Sequence, residues 1–111
     1  MRTCLLAATL AFASAGATAA TPGPALYSVN SAAIASAMTY CSTKYGNLQQ
    51  GSPGQACFVR ARGILAAYGL REVASGIESR CQDPNTFNTC LTPEIGRLVY
   101  ALNAEFVKQK L

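Results

Sequence analysis

Histidine and tryptophan are both missing from these 111 residues. Without histidine, Ser–His and Cys–His nucleophilic systems are excluded. So is the usual nitrogen partner of a cysteine zinc site. No C-x-x-C pair occurs, which removes the spacing that a redox dithiol needs. Period-2 runs, internal repeats and low-complexity tracts are also missing, so nothing argues for a sheet or a solenoid. The basic residues are scattered, with acidic ones set among them, and form none of the dense stripes with interleaved aromatics that nucleic-acid binders use.

What is present begins with a targeting pattern. Arg2 supplies a positive start, Cys4 to Ala13 is an apolar run, and Ser14 to Ala20 is a string of small residues. Ala17-Thr18-Ala19 offers a signal-peptidase site with cleavage before Ala20. The apolar run is half of the roughly 20 residues that a spanning helix needs. Residues 1–19 are therefore read as a signal peptide and 20–27 as a flexible mature N-terminus. Residues 28–111 are read as a helical domain with no transmembrane segment. The place of action is periplasmic or secreted. Loss of Arg2 leaves eight basic residues against five acidic ones, a mild positive balance.

Cleavage also removes Cys4. Cys41, Cys57, Cys81 and Cys90 remain, an even set in a small exported domain, which reads as two disulfides. A domain of this size gains from such staples.

The periodicity is helical throughout. A first helix is expected from Ser28 or Asn30, with Ile34, Ala37, Met38, Cys41 and Tyr45 as its apolar stripe and Gly46 as its left-handed end. A second is expected from Gly54 or Gln55, lined by Cys57, Phe58, Ala61, Ile64, Leu65 and Tyr68. The pattern resumes beyond Gly69 with Leu70, Val73, Ala74, Ile77 and Cys81. Residues 55–81 are thus one long helix or two. Gly63, Gly69 and Gly76 would each cost about 1 kcal/mol in a continuous helix, which favours a break at Gly69. Thr92-Pro93-Glu94 carries the local signature of a helix start, ahead of Ile95, Leu98, Val99, Leu102 and Phe106. The expected fold is all-α, a small disulfide-stapled bundle of three to four helices.

Four cysteines allow three pairings. In antiparallel hairpins, Cys41 at the end of one helix lies beside Cys57 at the start of the next, and Cys81 likewise lies beside Cys90. The expected bonds are Cys41–Cys57 and Cys81–Cys90. Each would contribute about 3 kcal/mol by restricting the unfolded chain.

Candidate functional residues are few. Glu72, Glu78, Glu94, Glu105 and Asp83 mostly fall off the apolar stripes, which reads as solvated surface rather than acid–base machinery. No catalytic residue, metal ligand or cofactor site is assigned, and the chain is read as a non-enzyme. Arg60 and Arg62 flank the inner face of the second helix and are suited to a carboxylate or phosphate. Tyr68 and Tyr100 belong to a tyrosine set of the kind enriched in protein interfaces. These four are the candidate partner-binding residues.

The layout resembles the Tai-type periplasmic immunity proteins, which neutralise peptidoglycan amidases delivered by type VI secretion. The resemblance rests on Cys57 to Gly63 (CFVRARG), a cysteine followed six residues later by glycine, and on Cys90 to Pro93 (CLTP) before an amphipathic last helix. It spans about Ser36 to Lys108. The chain departs from the family in having Phe58-Val59 where a Gly-Tyr dipeptide usually follows the cysteine, and in lacking a longer acidic tail. No functional residue is carried over. The resemblance implies a small exported helical protein that works by protein–protein binding, as an immunity or inhibitor protein against a cell-wall-targeting toxin. The alternatives are a periplasmic ligand carrier or acid-stress chaperone, and an accessory subunit of an envelope secretion or conjugation system. The expected partner is another protein, with no nucleic acid, and the oligomeric state is open.

Overall fold

The computed structural model describes residues 23–111, so the signal-peptide reading of 1–19 lies outside the described residues. Four helices follow one another: α1 Pro24–Tyr45, α2 Pro53–Tyr68, α3 Leu70–Arg80 and α4 Phe87–Lys108. No strand occurs among the described residues. The helix α1 is the axis of the bundle, and each of the other three packs on it. Helices α2 and α3 run back along α1 in sequence, and α4 returns along it.

The turn between α2 and α3 is a single residue. Gly69 has φ 87° and ψ 43°, the left-handed region that side chains other than glycine enter at a cost. The chain bends there and stays against α1 over both halves. Of the two readings of residues 55–81, the broken one holds. Gly46 ends α1 with φ 92°, and its N–H donates to the Ser42 carbonyl.

Helix α1 begins earlier than its sequence pattern suggested. Pro24 occupies the first turn, where its missing N–H costs nothing, and Gly23 is the capping residue. The cap bond comes from elsewhere in the chain: the Ala25 N–H donates to Glu78 Oε2 of α3 at 2.9 Å. A Cβ on Gly23 would overlap the Glu78 carboxylate. Residues 24–27 are therefore helix rather than a flexible lead, and Ala25 is fully buried. Glu78 is not a freely solvated carboxylate but the cap of a helix 53 residues away in sequence.

The inner face of α1 also differs from the expected stripe. Its buried residues are Ala25, Val29, Ala33, Ser36, Ala37 and Cys41. Ile34 and Met38 are exposed. A helix that takes neighbours on several sides must present small residues to them so that the backbones can approach. Larger apolar side chains opposite remain in solvent. Val29 and Cys41 are the bulkiest side chains that α1 buries completely; the volume of the core comes from Ile77, Leu102, Phe106 and Leu111. Tyr40 packs on Phe106 with ring centroids 5.4 Å apart, inside the favourable range for tilted aromatic pairs.

Among the described residues two Ser/Thr-Pro pairs occur, and only one opens a helix. Ser52 caps α2, its Oγ accepting from the Gln55 N–H at 3.1 Å, with Pro53 in the first turn. The start expected at Thr92-Pro93 is not a start: α4 begins at Phe87, and Pro93 lies inside it. Thr92 donates its hydroxyl to the Asn88 carbonyl at 2.8 Å. The physical reason lies upstream, where Leu91 is buried and Phe87 packs against the core. Their burial outweighs the one helical bond that proline removes.

Both disulfides form as expected. Cys41–Cys57 and Cys81–Cys90 each join Cα atoms 5.7 Å apart. The first ties the end of α1 to the first turn of α2, and the second ties the end of α3 to the first turn of α4.

Candidate functional site

The sequence offered Arg60, Arg62, Tyr68 and Tyr100 for partner binding, and the fold brings two of them together. Arg60 is exposed on α2, and Tyr68, eight residues on, is half-buried against the core. They line one open groove of about 520 Å³ with Gly63, Ile64, Ala67, Glu105, Gln109 and Leu111. Arg62 is two residues from Arg60, a turn of about 200° on a helix. It is exposed and does not line that groove. Tyr100 is 81% exposed on α4, also away from the groove.

The far wall is built by the end of α4. After Lys108 the chain turns through Lys110, whose φ is 61°, and the Leu111 N–H donates to the Phe106 carbonyl at 3.0 Å. This places the Leu111 side chain fully inside the core. The Tyr45 hydroxyl donates to the main-chain oxygen of Leu111 at 2.5 Å. The Arg60 guanidinium reaches across and donates to the Gln109 carbonyl at 3.2 Å. Gln109 donates its side-chain amide to Glu105. The groove thus carries a guanidinium, a carboxylate and a phenol ring over an apolar floor of Ile64, Ala67 and Leu111.

Arg60 makes one bond with one of its nitrogens, which leaves other donors of its planar fork available to a ligand. A guanidinium presents five N–H donors in a geometry that matches a carboxylate or a backbone carbonyl pair. Tyr68 adds a rigid, amphipathic surface. Arginine and tyrosine are the residue types that dominate binding energy at protein interfaces.

A second charged cluster lies at the other end of the molecule. Arg80 donates to Glu94 through Nε at 2.8 Å and through its terminal nitrogen at 2.9 Å. Arg97 adds a contact of 3.3 Å. The Arg80 hydrogen bonds hold the Glu94 carboxyl below its ordinary range, with the two positive charges acting in the same direction. The Glu94 bond in turn raises Arg80. Both acceptor oxygens of Glu94 are engaged and its side chain is 13% exposed. This carboxylate is therefore a clamp between α3 and α4, and was not legible as such from its place off the apolar stripe.

A further groove, of about 630 Å³, runs between α1 and α4. Ala32, Ala35, Ser36, Thr39, Tyr40, Thr43, Lys44, Val99 and Asn103 line it. No described helix is long and apolar enough to cross a membrane. Against known proteins, the chain matches no family model, no curated protein and no solved structure.

Proposed function

We propose that the chain is an exported helical protein that acts by binding another protein, with the groove around Arg60 and Tyr68 as its contact site. The specific form of the proposal is an inhibitor or immunity protein that neutralises a cell-wall-targeting enzyme. The observation that supports it is the pairing of Arg60 with Tyr68 on the rim of one groove whose shape is set by the buried Leu111 and the Arg60–Gln109 bond. A site held by a disulfide-stapled scaffold loses little ordering entropy on binding. The two disulfides also support export, since such bonds persist in oxidising compartments.

The test uses the folded, oxidised protein as bait for envelope proteins, beside its Arg60→Ala and Tyr68→Ala variants. The expected result is a stoichiometric complex with a cell-wall enzyme, loss of that enzyme's activity, and binding weakened at least about tenfold by each variant. Failure to retain an enzyme, or equal retention by both variants, rejects the proposal. A second reading, a ligand carrier, is favoured by the mostly apolar groove between α1 and α4, whose volume lies in the range that small molecules occupy. Chemical-shift changes confined to Thr39, Thr43 and Val99 on addition of a lipophilic probe would support it.

A further inference from the structure

The outward face of α1 does not line the Arg60–Tyr68 groove, although Tyr45 at one end of it holds the main-chain oxygen of Leu111, a residue of that groove. Tyr27, Ile34, Met38 and Tyr45 are 79%, 40%, 44% and 38% exposed. A helix advances about 100° per residue, so Tyr45 returns after about five turns to the azimuth of Tyr27. Ile34 and Met38 fall within about 20° on either side of that line. The result is a straight apolar stripe about 27 Å long. Asn30, Ser31 and Ala35 flank it in a shallow trough of about 470 Å³ with Tyr27, Ile34 and Met38. Lys44 is the one charged residue of α1, and its ammonium lies 5.5 Å from the ring of Tyr45 and 5.9 Å from that of Tyr40. The stripe between Tyr27 and Met38 carries no charge at all.

The order of the stripe matters as much as its composition. Ile34 and Met38 are centred on position 36, and so are Tyr27 and Tyr45. Reversed end to end about that level, the stripe maps aromatic onto aromatic and aliphatic onto thioether. We propose that this face pairs with the same face of a second copy of the chain, α1 against α1, antiparallel about a two-fold axis at the level of Ser36. Tyr27 of each copy then meets Tyr45 of the other, and Ile34 meets Met38. This is the self-complementary contact that two-fold symmetry requires.

Three features favour a second copy over a different partner. From Tyr27 to Met38 the face is uncharged, so this stretch brings no like charges together when it meets itself, whereas a face built for a charged partner would carry the opposite charge. The antiparallel arrangement sets the positive end of each α1 dipole beside the negative end of its neighbour. The Tyr45 hydroxyl is already held by Leu111, so its ring is in place before the partner arrives. The exposed area of the four side chains is on the order of 400 Å² per copy. Doubled, and widened by the flanking small residues, it reaches the lower range of specific interfaces. A weak, concentration-dependent dimer is therefore expected.

The inference is independent of the function proposed above, because it uses a different face and needs no other protein. Sedimentation equilibrium of the oxidised protein from about 1 µM to 1 mM tests it. The wild type should pass from monomer to dimer. Ile34→Glu and Met38→Lys should each weaken the dimer at least about tenfold, since each buries a charge against an apolar neighbour. Combined in one chain, they should recover most of the loss, because in the antiparallel register the new carboxylate at 34 faces the new ammonium at 38 of the other copy. Tyr27→Ser, at the most exposed of the four positions, should weaken dimerisation without altering the melting curve. Any of three results overturns the proposal: a wild type that stays monomeric at the highest concentration, a dimer indifferent to the single substitutions, or a double variant no better than the singles. The last would mean a register in which 34 meets 34.

Discussion

The two ends of this bundle are closed by different chemistry. At the end where α1 meets α2, the closure rests mainly on uncharged groups, with the Arg60–Gln109 bond beside them. Cys41 and Cys57 are bonded and buried, Gly46 turns the chain, and the Tyr45 hydroxyl holds the oxygen of Leu111. At the other end, carboxylates carry much of the load. Glu78 caps α1, Glu94 clamps Arg80 and Arg97, and the disulfide there involves the half-buried Cys90. The lesson is that one end is held without a structural carboxylate–cation clamp while the other depends on one.

The largest effect expected is on the uncharged end. Replacing Cys41 and Cys57 together by alanine should cost about 3 kcal/mol on the loop-entropy model, for a bond that closes 16 residues. In a domain of this size that lowers the melting temperature by roughly 12 °C or more. The Cys81–Cys90 bond closes only 9 residues, and its double alanine variant should cost about 2.5 kcal/mol. Calorimetry on both variants measures the difference, and a larger loss from the shorter bond would reverse the contrast between the ends.

Next come the single hydrogen bonds. Glu78→Ala removes the acceptor from the start of α1 and should cost about 1 kcal/mol, as other helix caps do. Tyr45→Phe removes one bond at the opposite end and should also cost about 1 kcal/mol. Urea unfolding of the pair separates them further. Added salt should shrink the Glu78 effect, which involves a charge, and leave the Tyr45 effect unchanged.

The smallest effect belongs to Glu94→Gln. A carboxyl whose native value is depressed contributes stability above its unfolded value, near 4.3. That contribution is lost as pH falls through the lower, folded value. Wild type and variant should therefore differ slightly in melting temperature at pH 7 and converge in strong acid. A gap that widened on acidification would mean that Glu94 is not held by Arg80.

Several of these elements were legible in the chain. Helical spacing from Leu70 to Cys81 and from Ile95 to Phe106 named the class, and the breaks at Gly46 and Gly69 followed from backbone sterics alone. The disulfide pairing followed because four cysteines at helix ends leave one pairing between neighbouring ends. The start of α4 did not follow. Thr92-Pro93 and Ser52-Pro53 carry nearly the same local signal, and they differ only in what precedes them. Before Ser52 lies Gly51 in the left-handed region; before Thr92 lie Leu91 and Phe87, which the core accepts. The stripe on α1 was misread for a related reason. Ile34 and Met38 dominate any count of hydrophobicity, yet alanines are what three packed neighbours admit. The spacing from Tyr27 to Tyr45 and the lack of charge from Tyr27 to Met38 were visible, but they acquire meaning only once the other face is known to be the buried one.

Of the candidate site residues, the chain alone selected residue types and not their assembly. Arg60 and Arg62 are two positions apart in sequence and divided by the helical twist. Arg60 and Gln109 are 49 positions apart and hydrogen-bonded. By itself the sequence determined an all-helical chain stapled at its turns, because periodicity, glycine sterics and cysteine position act locally. Only the tertiary structure decided which face of α1 is inside, where α4 begins, and that Glu78 and Glu94 are structural. Those depend on burial and on partners distant in the chain, which no local pattern encodes.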